Sequence, residues 1–316
     1  MSFDVDRSWC SPFSWFQSCR LTAQETNRIY CLIPRQPHIA IFDSGSGGLS
    51  ILRCLVESLE SCHFSYYADD ALLPYGHLGD EQILTRLVND LSQYFERNTP
   101  DLLVVACNTA STIVLPSLRS RLSIPVVGVV PAIKSAALIS KTKSIGLLAT
   151  PATIRRPYID ALIADFAQDC RVSRVPALDL VQISESYLQG ECVNRMLIDQ
   201  HIDEVFCRDI DIDCIVLGCT HFPLLREYLN DSLSSRGKSY VNLIDSGEAI
   251  AARVVNLLTL QNHSNLLHGS SVAMGKVTIY HTKDKKNDRI WLKKCQQALS
   301  AYWQGAWDIS ATYLPL

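Results

Sequence analysis

Two similar stretches, VVACNTAST at 104–112 and IVLGCTHFPLL at 215–225, each place a cysteine directly after an apolar run. An apolar β-branched run is typical of a buried parallel strand, and the Asn, Thr and Ser residues that follow are typical of a helix N-cap. We therefore expect Cys107 and Cys219 to lie where a strand turns into a helix. Unpaired N–H groups at a helix N-terminus stabilise a thiolate, so both cysteines are candidates for acid/base chemistry.

The strand–helix pattern extends outward from these stretches over most of the chain. From residue 38 onward, apolar runs alternate with segments of helical periodicity, which predicts an α/β fold with parallel strands. The alternation runs twice, and helices are predicted over 80–97, 109–122 and 221–234 among others. The predicted strands are HIAIFD at 38–43, FSYYAD at 64–69, DLLVVAC at 101–107 and IPVVGVV at 124–130, then KSIGLLAT at 143–150, CRVSRVP at 170–176, CIVLGC at 214–219 and YVNLID at 240–245.

The two rounds indicate an internal duplication with a domain-sized period, in which each half carries one of the two cysteines. Open α/β sheets bind ligands at the carboxyl ends of their strands. If the two halves face each other at those ends, both thiols border one cleft.

Composition excludes several classes of function. The 316-residue chain is 47% hydrophobic, and its net charge is −3, from 29 basic and 32 acidic residues with no block of five like charges. Such a chain can fill sizeable cores, but nothing in it favours a nucleic-acid or membrane partner. These features are typical of an enzyme that acts on a small molecule.

Twelve cysteines raise the question of disulfides. A long chain without a recognisable secretion signal favours reduced thiols in the cytosol. Cys10, Cys19 and Cys31 lack the CxxC or histidine spacing of a zinc site, and residues 1–37 are interpreted as an N-terminal extension. For the ten cysteines other than Cys107 and Cys219, a structural role as small hydrophobic residues is favoured.

Polar loops after the first two predicted strands add candidate binding residues. Asp43 and Ser44 precede a glycine-rich loop that begins a helix, which is a ready site for a carboxylate or phosphate but lacks the spacing of a dinucleotide fingerprint. Asp43 binds a substrate ammonium or serves as a helix N-cap, and the sequence leaves both roles open. Tyr75 and Gly76, in LLPYGH at 72–77, either hold a carboxylate with backbone N–H groups or form a plain surface turn.

Four polar residues directly follow the two cysteines: Asn108, Thr109, Thr220 and His221. Each can cap a helix or hydrogen-bond a ligand. His221 lies two positions from Cys219 and can act as its base or form an ion pair with it.

Three functions remain open for a pair of matched thiols: redox exchange, metal binding and proton transfer. Redox pairs usually use a CxxC motif, and zinc needs more soft ligands than His221 provides, so no metal is expected. Thiols on opposite sides of a cleft suit removal of a proton from one face of a carbon and return of a proton to the other. This pattern favours racemisation or epimerisation, in which backbone N–H groups stabilise the carbanion because no Schiff-base lysine for a pyridoxal cofactor is recognisable.

The motifs FDSGSGGLS at 42–50, PYG at 74–76, ACNTAST at 106–112, VVGVVPA at 126–132 and GCTHFPLL at 218–225 resemble the glutamate racemases of the cofactor-independent aspartate/glutamate racemase superfamily. The resemblance covers roughly residues 38–256 in the right order. It implies that Cys107 and Cys219 are the proton donor and acceptor, with Asp43 and His221 among the catalytic residues. It also implies that glutamate is held by Asp43, Ser44, Tyr75, Gly76, Asn108, Thr109, Thr153, Thr220 and His221.

The same resemblance implies D-glutamate for peptidoglycan as the product, a bacterial cytoplasm as the location, and no cofactor. It adds a UDP-linked muramyl precursor as an activator and leaves a homodimer open. Aspartate and glutamate differ by one methylene, so physical reasoning alone does not rank them. Two alternatives are disfavoured: a partner-binding protein, because no basic face is apparent, and a decarboxylase of the same fold, because both thiols are present.

The resemblance further implies two similar doubly wound parallel-sheet domains related by a pseudo-two-fold axis, with a cleft between them. A discontinuous first domain would span 38–131 and 241–316, and the second would span 132–240. The chain departs from the family pattern at Gln182, where a glutamate usually supports the histidine beside the second cysteine. Either Asp179 or Glu185 takes that role, or His221 is less basic here. The tail at 261–316 receives no chemical role.

Overall fold

The computed structural model describes residues 36–59, 62–261, 275–299 and 307–314. The proposed extension, with Cys10, Cys19 and Cys31, lies almost wholly outside these residues. Within the described part of the chain, no helix is both long and apolar enough to span a membrane. Nine cysteines there are free thiols.

Among the residues that the structure describes, ten strands form two sheets, and every strand pairing is parallel. The six-stranded first sheet has the order β10-β9-β2-β1-β3-β4, and the four-stranded second sheet has the order β6-β5-β7-β8. The strands are β1 His38–Asp43, β2 His63–Ala68, β3 Leu102–Val105, β4 Val126–Gly128, β5 Ser144–Ala149, β6 Arg171–Pro176, β7 Cys214–Leu217, β8 Asn242–Ile244, β9 Gly275–His281 and β10 Trp307–Tyr313. The predicted α/β class with parallel sheets is confirmed.

Helices connect the strands, as parallel pairing requires. The described α-helices are α1 Leu49–Ser58, α2 Asp80–Leu84, α3 Ser92–Arg97, α4 Asn108–Arg121, α5 Ile133–Ile139, α6 Pro151–Ile154, α7 Pro157–Phe166, α8 Asp179–Leu188, α9 Arg195–Arg208, α10 Arg226–Ser235, α11 Gly247–Leu260 and α12 Asp288–Leu299. A π-helical segment, Thr85–Leu91, joins α2 to α3, so the single helix predicted over 80–97 is a helix with a wide central section.

The order β2-β1-β3-β4 in the first sheet corresponds to β6-β5-β7-β8 in the second. The first strand of each round is therefore flanked by the second and third, and the fourth lies outside the third. Central strands are buried on both faces, which explains their nearly continuous apolar sequences. The duplication inferred from sequence is present in the topology, and it puts β3 and β7, the strands that precede the two cysteines, in equivalent places.

The pairing of β8 corrects one expectation. We predicted that the region near 241 returns to the first half, but β8 pairs with β7 in the second sheet, with Cys214 opposite Asn242. The duplication explains the result, because β8 is the counterpart of β4. Helix α11 then packs on α1, so the return to the first half begins after β8.

The C-terminal tail completes the first sheet. Strand β9, which contains the β-branched run KVTIYH at 276–281, pairs with β2, and β10 pairs with β9 at the edge. Helix α12 packs against α1 on this sheet. We call residues 36–132 and 247–314 the first lobe and residues 133–246 the second lobe; the proposed domain boundaries themselves stay a prediction.

The described part of the C-terminal tail contributes side chains to the core of the first lobe. Truncation of one of these side chains should lower the stability of the protein. Ile279 of β9 is fully buried, so Ile279→Ala should lower the free energy of unfolding by about 2–5 kcal/mol through lost apolar contacts and a residual cavity. Urea denaturation followed by circular dichroism measures the change. Leu138→Ala is the control, because Leu138 is 79% exposed and should change stability by no more than about 0.5 kcal/mol. Equal stability of the two variants would contradict the assignment of β9 to the core.

Candidate active site

A small, partly open cavity lies where strand ends of the two lobes meet. Its volume is about 20 Å³, roughly the space that one water molecule needs. The cavity is lined by Ser44, Leu73, Pro74, Tyr75, Gly76, Cys107, Asn108, Thr109, Thr150, Val181, Cys219, Thr220 and His221. All the residues expected at the site line this cavity except Asp43 and Thr153, which lie buried behind its wall.

Cys107 lies two residues beyond the end of β3 and is the N-cap of α4, as the sequence predicts. Its Sγ lies 3.5 Å from Ser44 Oγ. Burial and the nearby Asp43 carboxylate raise the pKa of Cys107 to about 12. At neutral pH Cys107 is therefore a thiol.

Cys219 lies two residues beyond the end of β7, but the turn that follows differs from the prediction. A 3₁₀ helix at Phe222–Leu225 precedes α10, where a single helix over 221–234 was expected. Pro223, near the start of this turn, has no N–H to donate. The Sγ of Cys219 lies 3.8 Å from Nδ1 of His221, which makes His221 its direct partner.

Glu185 supports His221. Its Oε1 lies 2.8 Å from His221 Nε2. Asp179 lies instead 3.8 Å from His201, and Gln182 lines a different cavity, so Glu185 is the carboxylate that takes the role left open by the sequence.

The protonation states of His221 and Glu185 follow from their surroundings. Burial alone would lower the pKa of His221, but the hydrogen bonds to Cys219 and Glu185 raise it to about 10. Burial alone would raise the pKa of Glu185, but His221 and Lys294 hold it well below its usual range. A protonated His221 between a carboxylate and Cys219 stabilises a thiolate on Cys219.

The glycine-rich loop after β1 binds carboxylates, but they belong to the protein itself. The Gly45 N–H donates to Asp43 Oδ1 at 2.8 Å, and the Ser46 N–H donates to Glu185 Oε1 at 3.0 Å. Gly47 permits the close approach of the two lobes, because a Cβ there would lie 2.4 Å from Nδ1 of His221. The predicted anion site thus positions two carboxylates around the cavity.

Asp43 is completely buried and accepts a hydrogen bond from Thr220 Oγ1 at 3.1 Å. Burial raises the pKa of Asp43 to about 6, against the lowering effect of His221. Asp43 therefore lies close to the surroundings of both cysteines, since its charge also raises the pKa of Cys107. It is placed to influence the thiols and does not line the cavity.

Threonine hydroxyls from both lobes form a cluster at one end of the cavity. Thr109 Oγ1 lies 3.2 Å from Thr153 Oγ1 and 3.4 Å from Thr150 Oγ1. Asn108 is also buried, and its Oδ1 has no hydrogen-bond partner within the described part of the chain. A buried unpaired acceptor is costly, so this oxygen is suited to a ligand donor such as an ammonium.

Tyr75 contributes its ring to the cavity, but its hydroxyl points elsewhere. The phenol donates to Asp69 Oδ2 at 2.7 Å, and Asp69 is also paired with Arg86 at 2.8 Å. The hydroxyl is therefore committed to holding the loop in place, while Gly76 also lines the cavity. The loop therefore borders the same cavity as the two cysteines.

Two buried thiols with unlike partners, one from each lobe, thus line the same cavity. A family model for Asp/Glu/hydantoin racemase matches residues 73–254, which include both thiols, His221 and Glu185. The chain belongs to this family.

Similar proteins carry a more specific activity. A glutamate racemase from Shewanella loihica is 46% identical over 221 residues, which cover 70% of this racemase and 81% of that protein. One from Pasteurella multocida is 44% identical over 227 residues, covering 72% and 82%. The crystal structure of Escherichia coli glutamate racemase in complex with L-glutamate and the activator UDP-MurNAc-Ala matches with a TM-score of 0.72 and 34% identity, over 89% of this chain and 99% of that one. The family resemblance and the assignment as an amino-acid racemase are confirmed.

Lys294, in the tail to which sequence reasoning gave no chemistry, reaches the active site of the racemase. Its Nζ lies 2.6 Å from Glu185 Oε2. Thr150 also went unnoticed as a lining residue, although its place at the end of β5 could have indicated it by the strand-end rule. For Lys294 the sequence contains no comparable signal, because a lysine on an amphipathic helix usually faces water.

An ion pair joins the lobes away from the thiols. The two terminal guanidinium nitrogens of Arg156, Nη1 and Nη2, donate to Asp80 at 2.5 and 2.6 Å. Asp80 lies in the first turn of α2 in the first lobe, and Arg156 precedes α7 in the second. This bidentate pair holds the lobes together, so its loss should favour opening of the cavity.

Asp80→Ala should increase the alkylation rates of Cys107 and Cys219 by iodoacetamide about 1.5- to 5-fold, because an exposed ion pair contributes about 0.2–1 kcal/mol to the closed form. Mass spectrometry of the labelled peptides measures both rates. Asp160→Ala is the matched control: Asp160 also lies in the first turn of a helix and pairs with Arg174 at 2.5 Å, but within the second lobe. The same acceleration in both variants would show that the Asp80 pair does not act on closure.

Proposed function

We propose that this racemase interconverts L-glutamate and D-glutamate by proton transfer between two cysteines, without a cofactor. The observation that supports the proposal best is the pair of buried thiols, Cys107 and Cys219, at equivalent strand ends of two sheets and lining one cavity. Two groups of one residue type, each from its own lobe, suit a reaction whose substrate and product are mirror images.

In one direction, the Cys219 thiolate takes the α-proton, and the electron pair of the broken C–H bond stays on the substrate carbon. The Cys107 thiol then gives its proton to the opposite face, forming the new C–H bond. The enzyme is left with a thiol at Cys219 and a thiolate at Cys107, which is the arrangement required for the reverse direction. His221 stabilises the first thiolate, and Asp43 makes the second a stronger base by raising the pKa of Cys107.

The α-proton is a very weak acid, so the site has to stabilise the charge that develops on the substrate carboxylate. We assign this role to the backbone N–H groups at the start of α4 and to the hydroxyls of Ser44 and Thr150, which line the cavity. The unpaired Oδ1 of Asn108 is assigned to the substrate ammonium. The small volume leaves little room for water beside a substrate, which strengthens these interactions.

Glutamate is proposed as the substrate because the similar proteins are glutamate racemases and one was solved with L-glutamate. We infer from the same relatives that the product supplies peptidoglycan synthesis in a bacterial cytoplasm. A UDP-linked muramyl precursor is proposed as an activator, since the E. coli protein was solved with such a molecule.

The two-thiol mechanism predicts where solvent deuterium appears. In D₂O, product formed from either enantiomer should carry deuterium at the α-carbon from the earliest turnovers, while recovered substrate stays largely protonated. The reason is that the thiol that receives the substrate proton is not the one that delivers the new hydrogen. Proton NMR of the two separated enantiomers measures the label.

Cys107→Ser and Cys219→Ser should each lower kcat for racemisation by about 10²–10⁴-fold, the usual range for loss of a general acid or base. Cys192→Ser is the control, because Cys192 is exposed. Full activity in both site variants would refute the mechanism, and turnover of aspartate at the same kcat/KM as glutamate would refute the proposed specificity.

Asp43 predicts an acid limit to activity. Its pKa of about 6 means that the carboxylate gains a proton as pH falls below that value, and the Cys107 thiolate then becomes a weaker base. The value of kcat/KM should therefore decline as pH falls through about 6. Asp43→Asn should have a low kcat/KM at all pH values and should lack the decline on the acid side. Asp160→Asn, an exposed control, should retain that decline. An unchanged limb in Asp43→Asn would assign it to another group.

A further inference from the structure

Lys294 lies on α12 of the first lobe, and its ammonium group is buried against the second lobe. The residue is only 6% exposed, and its Nζ lies 2.6 Å from Glu185 Oε2 and 4.8 Å from the centre of the Trp291 ring. Trp291 in turn donates from Nε1 to Asp70 Oδ2 at 3.0 Å. A buried ammonium is retained only when it is paired, and Glu185 is the paired carboxylate.

Glu185 receives hydrogen bonds from both lobes. From the first lobe come the Ser46 N–H at 3.0 Å and Lys294 at 2.6 Å, and from the second comes His221 at 2.8 Å. Lys294 takes Oε2, which leaves Oε1 for His221 and Ser46. The contacts thus run in series from Lys294 through Glu185 and His221 to the Sγ of Cys219.

We propose that Lys294 is a positioning residue for proton transfer at Cys219: it holds Glu185 as an oriented carboxylate that supports protonated His221. This inference rests on the proposed function, because it assigns Lys294 a role on one side of the two-thiol reaction. Lys294 does not line the cavity between the thiols, so it acts only through Glu185 and His221.

Loss of the ammonium has a defined electrostatic consequence. The charged and titratable groups around Glu185 are Lys294, His221, Asp43 and the phenol of Tyr66. Of these, Lys294 and His221 stabilise the ionised form of Glu185, while burial and the negative charge of Asp43 destabilise it. Without Lys294 the carboxyl of Glu185 takes up a proton at higher pH, and a neutral Glu185 no longer stabilises the imidazolium beside Cys219.

The test compares Lys294→Met with Lys294→Arg, which retains the charge. The matched control is Lys293→Met on the same helix, because Lys293 is exposed and contacts the backbone oxygen of Gln189. The first readout is the pH dependence of iodoacetamide alkylation at Cys219, with Cys107 as the internal reference. The second is the pH profile of kcat/KM for glutamate racemisation.

In Lys294→Met, the pH at which Cys219 alkylation declines on the acid side should move upward. The shift should be smaller than the roughly 1–3 units caused by loss of a directly adjacent opposite charge, because Lys294 acts on Cys219 only through Glu185 and His221. The acid limb of kcat/KM should move in the same direction. Lys294→Arg should restore most of both profiles, and Lys293→Met should match the wild type. In a Glu185→Gln background, Lys294→Met should cause no further shift in alkylation, because the two residues act in series.

Unchanged Cys219 alkylation in Lys294→Met would overturn the proposal, and so would an equal shift at Cys107. The alkylation readout needs no turnover, so it tests Lys294 even if the serine variants disprove the two-thiol reaction. If Lys294→Met does not fold, Lys294→Gln, which retains hydrogen-bond donors without the charge, gives the same comparison. A wild-type profile in that variant would equally overturn the role of Lys294.

Discussion

The buried carboxylate of Glu185 is the constraint on which the arrangement around Cys219 depends. A carboxylate removed from water is costly unless donors surround it, and here they come from a glycine-rich loop, a histidine and a lysine on three separate elements. Each donor fixes part of the architecture: the loop after β1, the turn after β7 and helix α12 have to meet at one point. This charge is therefore one of the interactions that hold α12 in place, beside the apolar contacts of the tail in the core of the first lobe.

Duplication explains the two thiols, but it does not explain their different partners. Cys107 and Cys219 occupy equivalent positions because β3 and β7 occupy equivalent positions in their sheets. Cys107 has Ser44 and the nearby charge of Asp43, whereas Cys219 has His221 and, behind it, Glu185. A racemase has to catalyse its reaction in both directions. In the proposed mechanism, two thiols with different partners do so as long as each of them can hold and release a proton.

Local sequence patterns predicted the features that depend on neighbouring residues, such as strand ends and helix starts. Strand ends followed by capping residues located Cys107 and Cys219, and the strand-end rule placed most lining residues at one cavity. The family resemblance, by contrast, assigned the β8 region to the first domain, whereas the internal repeat makes β8 the counterpart of β4 in the second sheet. Local patterns could not find Lys294, whose partner Glu185 is 109 positions away. Nor could they show that the glycine-rich loop would bind the protein's own carboxylates, since that depends on how the lobes meet.

The narrow cavity between the lobes constrains how a substrate reaches the thiols. A glutamate molecule is much larger than a space of about 20 Å³, so the proposed reaction requires the lobes to move apart. Glu185 belongs to the second lobe, whereas two of its donors, the Ser46 N–H and Lys294, belong to the first. The contacts that hold the lobes together at this point are therefore the contacts that support His221. In the proposed mechanism, substrate entry and support of the Cys219 thiolate thus depend on the same interface.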